Sequence, residues 1–193
     1  TDDRIRIENA LGQDALESIK FADGAVWTTN DLIARSGSFG DDTIVGNTSN
    51  NMLTGGLGDD VLSGREGADT YVFVRGDGSD VINDGHVRPT TTSTVAAGDV
   101  LQISGYDAGE LQFSPRGTGS IDLVIRFAGS DDQIVVIGGL GTNDAGVESV
   151  RLDDGTIITL ANIRTRALAA AALLEASLYA LSLIHISEPT RPS

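Results

Sequence analysis

The middle of the chain repeats one pattern of polar and apolar residues every nine positions. From Gly37 it divides into GSFGDDTIV, GNTSNNMLT, GGLGDDVLS and GREGADTYV, and a looser copy, RGDGSDVIN, begins at Arg75 after two extra residues. Each copy joins a Gly- and Asp-rich hexapeptide to a short run that contains one large apolar side chain. A short period of this kind predicts a repeat architecture, in which successive copies stack on one another.

The third copy, GGLGDDVLS, fits the pattern GGxGxDxUx at every position, where U is a large apolar residue. This is the calcium-binding nonapeptide of RTX proteins, and the segment resembles the haemolysin-type calcium-binding repeat. The other copies depart from the pattern at Ser38, Asn47, Ser49, Asn51 and Arg65. The resemblance implies that six residues of each copy form a turn and three a strand, and that two copies make one coil of a right-handed parallel β-roll. The residues at U would fill its thin core: Ile44, Leu53, Leu62, Tyr71 and Ile82.

In such a roll, turns that are 18 residues apart stack on the same side. Asp42 then lies by Asp60, Asn51 by Asp69, and Asp60, after the insertion, near Asp80. Because Ca²⁺ prefers six to eight oxygen ligands, each pair is expected to clamp one ion, giving two or three in all. Asp77 lies at a carbonyl-donor position and would add its side chain. Backbone carbonyls are expected to help at Gly37, Phe39, Gly55, Leu57, Gly64 and Glu66.

The calcium ions are expected to decide whether this segment folds. Stacked carboxylates repel one another in the absence of metal, and the core of the roll is thin. Ca²⁺ would reverse the repulsion and couple ion binding to folding. A metal-free Gly- and Asp-rich loop region is the alternative interpretation of the same residues.

The flanks of the array contain a second internal repeat, in which residues 2–32 align with residues 131–163. Both copies alternate apolar and polar residues around an Asp-Gly turn, at 23–24 and 154–155, and predict β-hairpins. They resemble the β-rich domain that often follows RTX repeats, with FADGAVW at 21–27 as the motif that carries the likeness. The fuller copy contains five strand-like runs, namely DVLQI, ELQF, DLVIRF, QIVVI and TIITL.

The C-terminal part differs from the rest. ALAAAALLEASLYA has high helix propensity and predicts a helix over residues 164–180. Residues 181–191 match the translation of a sequencing adapter, so 181–193 are treated as an artefact tail and excluded from the fold prediction. The missing initiator Met and this tail lead us to expect that the native protein is longer at both ends.

The composition of the chain excludes several classes of function. The net charge of −15 disfavours nucleic acids and anionic membranes as partners. Cysteine is absent, which removes disulfides and thiolate metal sites, and no apolar run is long enough to span a membrane. His86 in a linker and His185 in the tail assemble no catalytic triad or zinc site. We therefore expect a non-enzymatic segment, with any catalytic domain outside it.

The predicted fold is all-β: a β-roll followed by a β-rich capping module and an Ala-rich helix. The expected divisions are a partial module at 1–35, the roll at 36–85, a linker at 86–98, the β-rich module at 99–163, the helix at 164–180 and the tail at 181–193. The expected function is Ca²⁺ binding that drives the folding of a bacterial protein secreted to the extracellular space, with type I secretion machinery as a partner. The alternatives are a module of an RTX enzyme or cytotoxin, and a surface adhesin or matrix protein.

Overall fold

The computed structural model describes residues 18–20, 26–33, 37–84, 98–141 and 146–186. These ranges contain thirteen strands and two helices, α1 (Thr29–Ile33) and α2 (Leu160–Ile186). The N-terminal strands are β1 (Ser18–Lys20) and β2 (Val26–Thr28), and the repeat forms β3 (Thr43–Val45), β4 (Met52–Thr54), β5 (Val61–Ser63), β6 (Thr70–Val74) and β7 (Ser79–Ile82). The C-terminal strands are β8 (Val100–Ser104), β9 (Leu111–Pro115), β10 (Leu123–Phe127), β11 (Gln133–Val136), β12 (Ser149–Leu152) and β13 (Ile157–Thr159).

Successive nonapeptides place their strands alternately in two sheets. In one sheet β3, β5 and β7 pair in parallel, with Ile44 opposite Leu62 and Leu62 opposite Ile82. In the other sheet β4 pairs in parallel with β6, and Leu53 lies opposite Tyr71. Strands that are two copies apart are therefore neighbours, as the 18-residue spacing predicts. The all-β class and the parallel roll are confirmed.

Both sheets continue past the repeat into the C-terminal strands. β11 pairs in parallel with β7, and β8 pairs in parallel with β6 and is followed by β12. The complete orders are β3-β5-β7-β11-β10-β9 and β13-β12-β8-β6-β4. The residues assigned to a separate β-rich module therefore prolong the two sheets of the roll. The predicted linker at 86–98, except for Gly98, lies outside the described residues.

One apolar core runs between the two sheets. All five residues predicted at the U positions are buried, with at most 3% of each exposed. The core extends into the C-terminal strands through Phe73, whose ring stacks on Phe127 at a centroid distance of 5.4 Å. Roll and C-terminal strands thus bury their apolar surface together, and this shared burial stabilises the end of the roll.

The flanking hairpins form as predicted in the parts that the structure describes. β12 and β13 pair antiparallel around a turn in which Gly155 has a positive φ of 84°. β1 and β2 pair antiparallel with Ile19 opposite Trp27, whereas their turn at 21–25 and residues 1–17 lie outside the described residues. Each hairpin leads directly into a helix, α1 or α2.

Helix α2 is longer than the predicted span of 164–180. It begins directly after β13, because Ile163 and Ala167 are buried in the core and the helix packs against β9. It ends at Ile186, inside the segment expected to be an artefact tail, and residues 187–193 lie outside the described residues. Neither helix in the described ranges has the length and hydropathy of a membrane span.

Candidate metal site

The turns on one side of the roll are joined by a row of carboxylates that we call the Asp60 ladder: Asp42, Asp60 and Asp80. The backbone N–H of Asp42 donates to Asp60 Oδ1 at 2.7 Å, and the N–H of Asp60 donates to Asp80 Oδ1 at 3.1 Å. The carboxylates of Asp60 and Asp80 therefore reach back to the turn of the preceding coil. Asp60, the middle rung, is fully buried and contacts both neighbours.

The other side carries the Asp69 ladder, which consists of Asn51, Asp69, Asp99 and Glu148. The N–H of Asn51 donates to Asp69 Oδ1 at 2.7 Å, and the N–H of Asp69 donates to Asp99 Oδ1 at 2.8 Å. The series ends where the N–H of Asp99 donates to Glu148 Oε2 at 2.5 Å. This ladder therefore runs from the second nonapeptide to the residue before β12.

The first glycine of a nonapeptide leaves room for the ladder side chain of the same copy. A Cβ at Gly55 would lie 2.0 Å from Asp60 Oδ2, and one at Gly64 would lie 2.0 Å from Asp69 Oδ2. Any other residue at either glycine would displace the carboxylate or the backbone. The repeat thus requires glycine at these two positions in order to bury an acidic side chain.

The oxygen atoms of the Asp60 ladder are suited to bind a hard cation. Asp60 Oδ2 is buried and accepts no hydrogen bond in the part of the chain that the structure describes. A buried carboxylate oxygen without a donor is costly unless a cation neutralises it. Across those same residues, no three acidic or histidine side chains converge on one point. A cation here would therefore combine one or two carboxylates with backbone carbonyl oxygens, a donor set that Ca²⁺ accepts.

Burial changes the protonation of the ladder carboxyls. Burial, together with the carboxylates of Asp60 and Asp77, raises the pKa of Asp80 to about 7. Burial, with Asp84 and Glu148 nearby, likewise raises the pKa of Asp99 to about 7. Burial also raises the pKa of Asp60. Burial therefore disfavours the charged state of these carboxyls, and a bound cation would favour it.

The other predicted ligands lie in the turns around the Asp60 ladder. Asp77 Oδ2 accepts the N–H of Val74 at 2.7 Å, and its carbonyl accepts the N–H of Gly58 at 2.7 Å. The carbonyl of Gly55 accepts the N–H of Ser38 at 3.0 Å, which leaves it one further lone pair. These turns are thus held by backbone bonds between coils. Their ligand roles remain predictions.

The remaining carbonyl donors that we predicted differ in exposure. Gly64 is buried, and its N–H donates to the hydroxyl of Tyr71 at 2.9 Å. The side chains of Phe39, Leu57 and Glu66 are exposed, and the carbonyl roles of these residues stay predictions. Gly37 lies against the Gly55 carbonyl, where a Cβ would be 2.2 Å from the oxygen.

Several residues of the site were not predicted from the sequence. Asp99 precedes Val100-Leu101 as Asp60 precedes Val61-Leu62, so an aspartate two residues before a buried apolar residue was a usable signal. Asp84 accepts hydrogen bonds from the Tyr71 hydroxyl at 2.6 Å and the Arg65 N–H at 3.0 Å. Glu148 follows no such pattern, since it reaches Asp99 from 49 positions further along the chain.

Two models of known protein families match this chain, one in the nonapeptide array and one in its flanks. The model of the RTX calcium-binding nonapeptide repeat (4 copies) matches residues 36–71, which include β3 to β5 and the start of β6. The chain is an RTX-type calcium-binding repeat protein. The model of the haemolysin-type calcium binding protein related domain matches residues 1–31 and 122–162 of this RTX chain. A search of curated proteins gave no match.

The segments that the two models match leave a gap between residues 71 and 122, which the structure fills. Asp80 and Asp99 lie between residues 71 and 122, outside both matches, and each extends a ladder that starts inside the nonapeptide array. The roll of this RTX protein is therefore longer than its recognisable repeat. Calcium binding is the function that the repeat family supports for this chain.

Proposed function

We propose that Ca²⁺ binding to the two ladders folds the roll, and that this folding is the role of the segment in a secreted bacterial protein. The observation that carries the proposal is the buried Asp60 carboxylate, whose Oδ2 accepts no hydrogen bond among the described residues. Its charge is expensive to bury alone, and a divalent cation with carbonyl ligands would offset that cost.

The proposed ligands are the carboxylates of the Asp60 ladder and of Asp69, with carbonyl oxygens from the stacked turns. When bound, Ca²⁺ would supply the positive charge that holds neighbouring turns together. The chain itself positions the ligands, because the hydrogen bonds to Oδ1 of Asp60 and Asp80 fix the carboxylates between coils. Asp77 and Asp99 lie on adjoining turns and extend the negative potential.

The secreted location and the type I secretion route belong to the same proposal. A segment that folds only with Ca²⁺ would stay unfolded where the free ion is scarce and fold outside the cell, where sites of low affinity still fill. The net charge of −15 would hold the metal-free chain expanded by self-repulsion. We propose no catalytic role for this segment.

A calcium titration of the full chain, followed by far-UV circular dichroism at pH 8, tests the proposal. We expect a cooperative gain of β-structure with Ca²⁺ at concentrations up to the millimolar range, and no such gain with Mg²⁺, which requires a smaller octahedral site. A spectrum that is the same with and without Ca²⁺ would refute calcium-driven folding.

A further inference from the structure

The N-terminal end of the Asp69 ladder is covered by a helix. α1 packs against β2 and β4, and Ile33 at its end is fully buried in the core of the roll. Asn30 of this helix donates through Nδ2 to the carbonyl of Asn50 at 3.3 Å. Its Oδ1 accepts from the side-chain amides of Asn47 at 3.2 Å and Asn51 at 3.1 Å. We call Asn30, Asn47 and Asn51 the amide cap.

The orientation of the Asn51 amide is fixed by a backbone donor. The N–H of Asn47 donates to Asn51 Oδ1 at 2.8 Å, and a backbone N–H cannot exchange its role with an acceptor. Nδ2 of Asn51 must therefore face the two oxygen acceptors on its other side, Oδ1 of Asn30 and Oδ1 of Asn47. The oxygen of Asn51 accepts this backbone N–H, and its N–H groups occupy the side on which a ladder carboxylate would present its second oxygen.

The corresponding residue of the other ladder differs in charge. Asp42 accepts the N–H of Ser38 at 2.8 Å with Oδ2, as Asn51 accepts the N–H of Asn47. Asp42 is a carboxylate and can serve a cation, whereas Asn51 is neutral and 4% exposed, and its Nδ2 donates to two amide oxygens. The first turn of the Asp69 ladder is thus closed by hydrogen bonds alone.

We infer that Asn51 is not a calcium ligand, and that the amide cap closes the roll without metal in place of a preceding coil. This inference rests on the proposed function and revises the predicted Asn51–Asp69 clamp. Calcium then binds at the Asp60 ladder and, in the Asp69 ladder, at Asp69 and the residues that follow it in that ladder. The helix that follows the first hairpin joins that hairpin to the roll, and Asn30 is a positioning residue for the ladder.

Measuring the number of bound Ca²⁺ ions separates a cap from a ligand. We expect Asn51→Ala in the full chain to bind as many ions as the wild type, by equilibrium dialysis at saturating Ca²⁺. The thermal midpoint of the calcium-bound form should fall by roughly 2–8 °C, because buried amide partners are lost. Asn30→Ala should lower the midpoint in the same way and leave the number of bound ions unchanged. Asp60→Asn alters a proposed ligand and is the control variant in which the loss of an ion is expected.

The possible results distinguish this inference from the proposed function. One ion fewer in Asn51→Ala, with the full number in Asn30→Ala, would make Asn51 a ligand and overturn the inference alone. If Asn51→Ala does not fold, Asn30→Ala decides the matter, since an unchanged midpoint in that variant would refute the cap. A wild-type chain that takes up no Ca²⁺ would remove the proposed function, and with it the assignment of ions to the ladders.

Discussion

Asp60→Asn is expected to weaken calcium binding at least about tenfold, a change of about 1.4 kcal/mol, without unfolding the metal-free chain at acid pH. Asparagine keeps an Oδ1 acceptor for the N–H of Asp42 and removes the buried charge. The loss should be the largest among the three residues of the Asp60 ladder, because Asp60 contacts both Asp42 and Asp80. Isothermal titration calorimetry with Ca²⁺ measures the affinity and the number of ions.

Asp59→Asn is the matched control for this change. Asp59 is the neighbouring residue in the same turn, carries the same charge and also accepts a backbone hydrogen bond, from Ser79 at 3.1 Å. It is exposed, however, whereas Asp60 is fully buried. Equal losses of affinity in the two variants would mean that Ca²⁺ responds to net charge and not to the buried ladder.

Lowering the pH from 8 to 5.5 is expected to stabilise the metal-free chain. Burial is the main cause that raises the pKa of Asp80 and of Asp99 to about 7 in the fold, against about 3.9 in an unfolded chain. Between these values the folded state binds more protons, so stability is full below about pH 4 and is lost as the pH rises through 7. At about 1.4 kcal/mol per pKa unit, each group contributes on the order of 4 kcal/mol at most.

Far-UV circular dichroism in a chelator across this pH range measures the effect as the folded fraction of the chain. Asp80→Asn should flatten the pH dependence, because its amide stays neutral and can still accept the N–H of Asp60. Asp131→Asn, which changes an exposed residue, should leave the slope as it is. At pH 8, saturating Ca²⁺ should stabilise the chain as protonation of the carboxyls does at pH 5.5. Metal-free stability that increases from pH 5.5 to 8 would contradict the raised pKa values.

The repeat could be predicted from the sequence because each nonapeptide contains the residues that determine its own turn and strand. Each nonapeptide carries its own turn glycines, its own ladder position and its own buried apolar residue, so the register of β3 to β7 followed from counting. The hairpin of β12 and β13 was also predictable, since an Asp-Gly turn lies between two alternating runs. The strand-like runs of the C-terminal part predicted β8 to β11, but they did not predict which strands would pair with them in the sheets.

The contacts that close the ladders could not be predicted, because they join residues that are distant in sequence. Asp99 meets Asp69 across 30 positions, and Glu148 meets Asp99 across 49. No spacing rule covers such gaps when an insertion interrupts the period. Asn30 was missed for a further reason: an asparagine in a short helix has no pattern until the fold places it beside Asn47 and Asn51.

Hydrogen exchange at the ladder amides tests the central claim most directly, namely that Ca²⁺ bound at the ladders holds the coils of the roll together. The amides to follow in the full chain by NMR at pH 8 are those of Asp42, Asp60 and Asp69, each of which donates to a carboxylate of the next coil. We expect rapid exchange in a chelator and strong, simultaneous protection with Ca²⁺, whereas Mg²⁺ leaves the exchange rapid. Protection of these amides that is equally strong without Ca²⁺ would show that the roll folds without the ion, and would contradict this account.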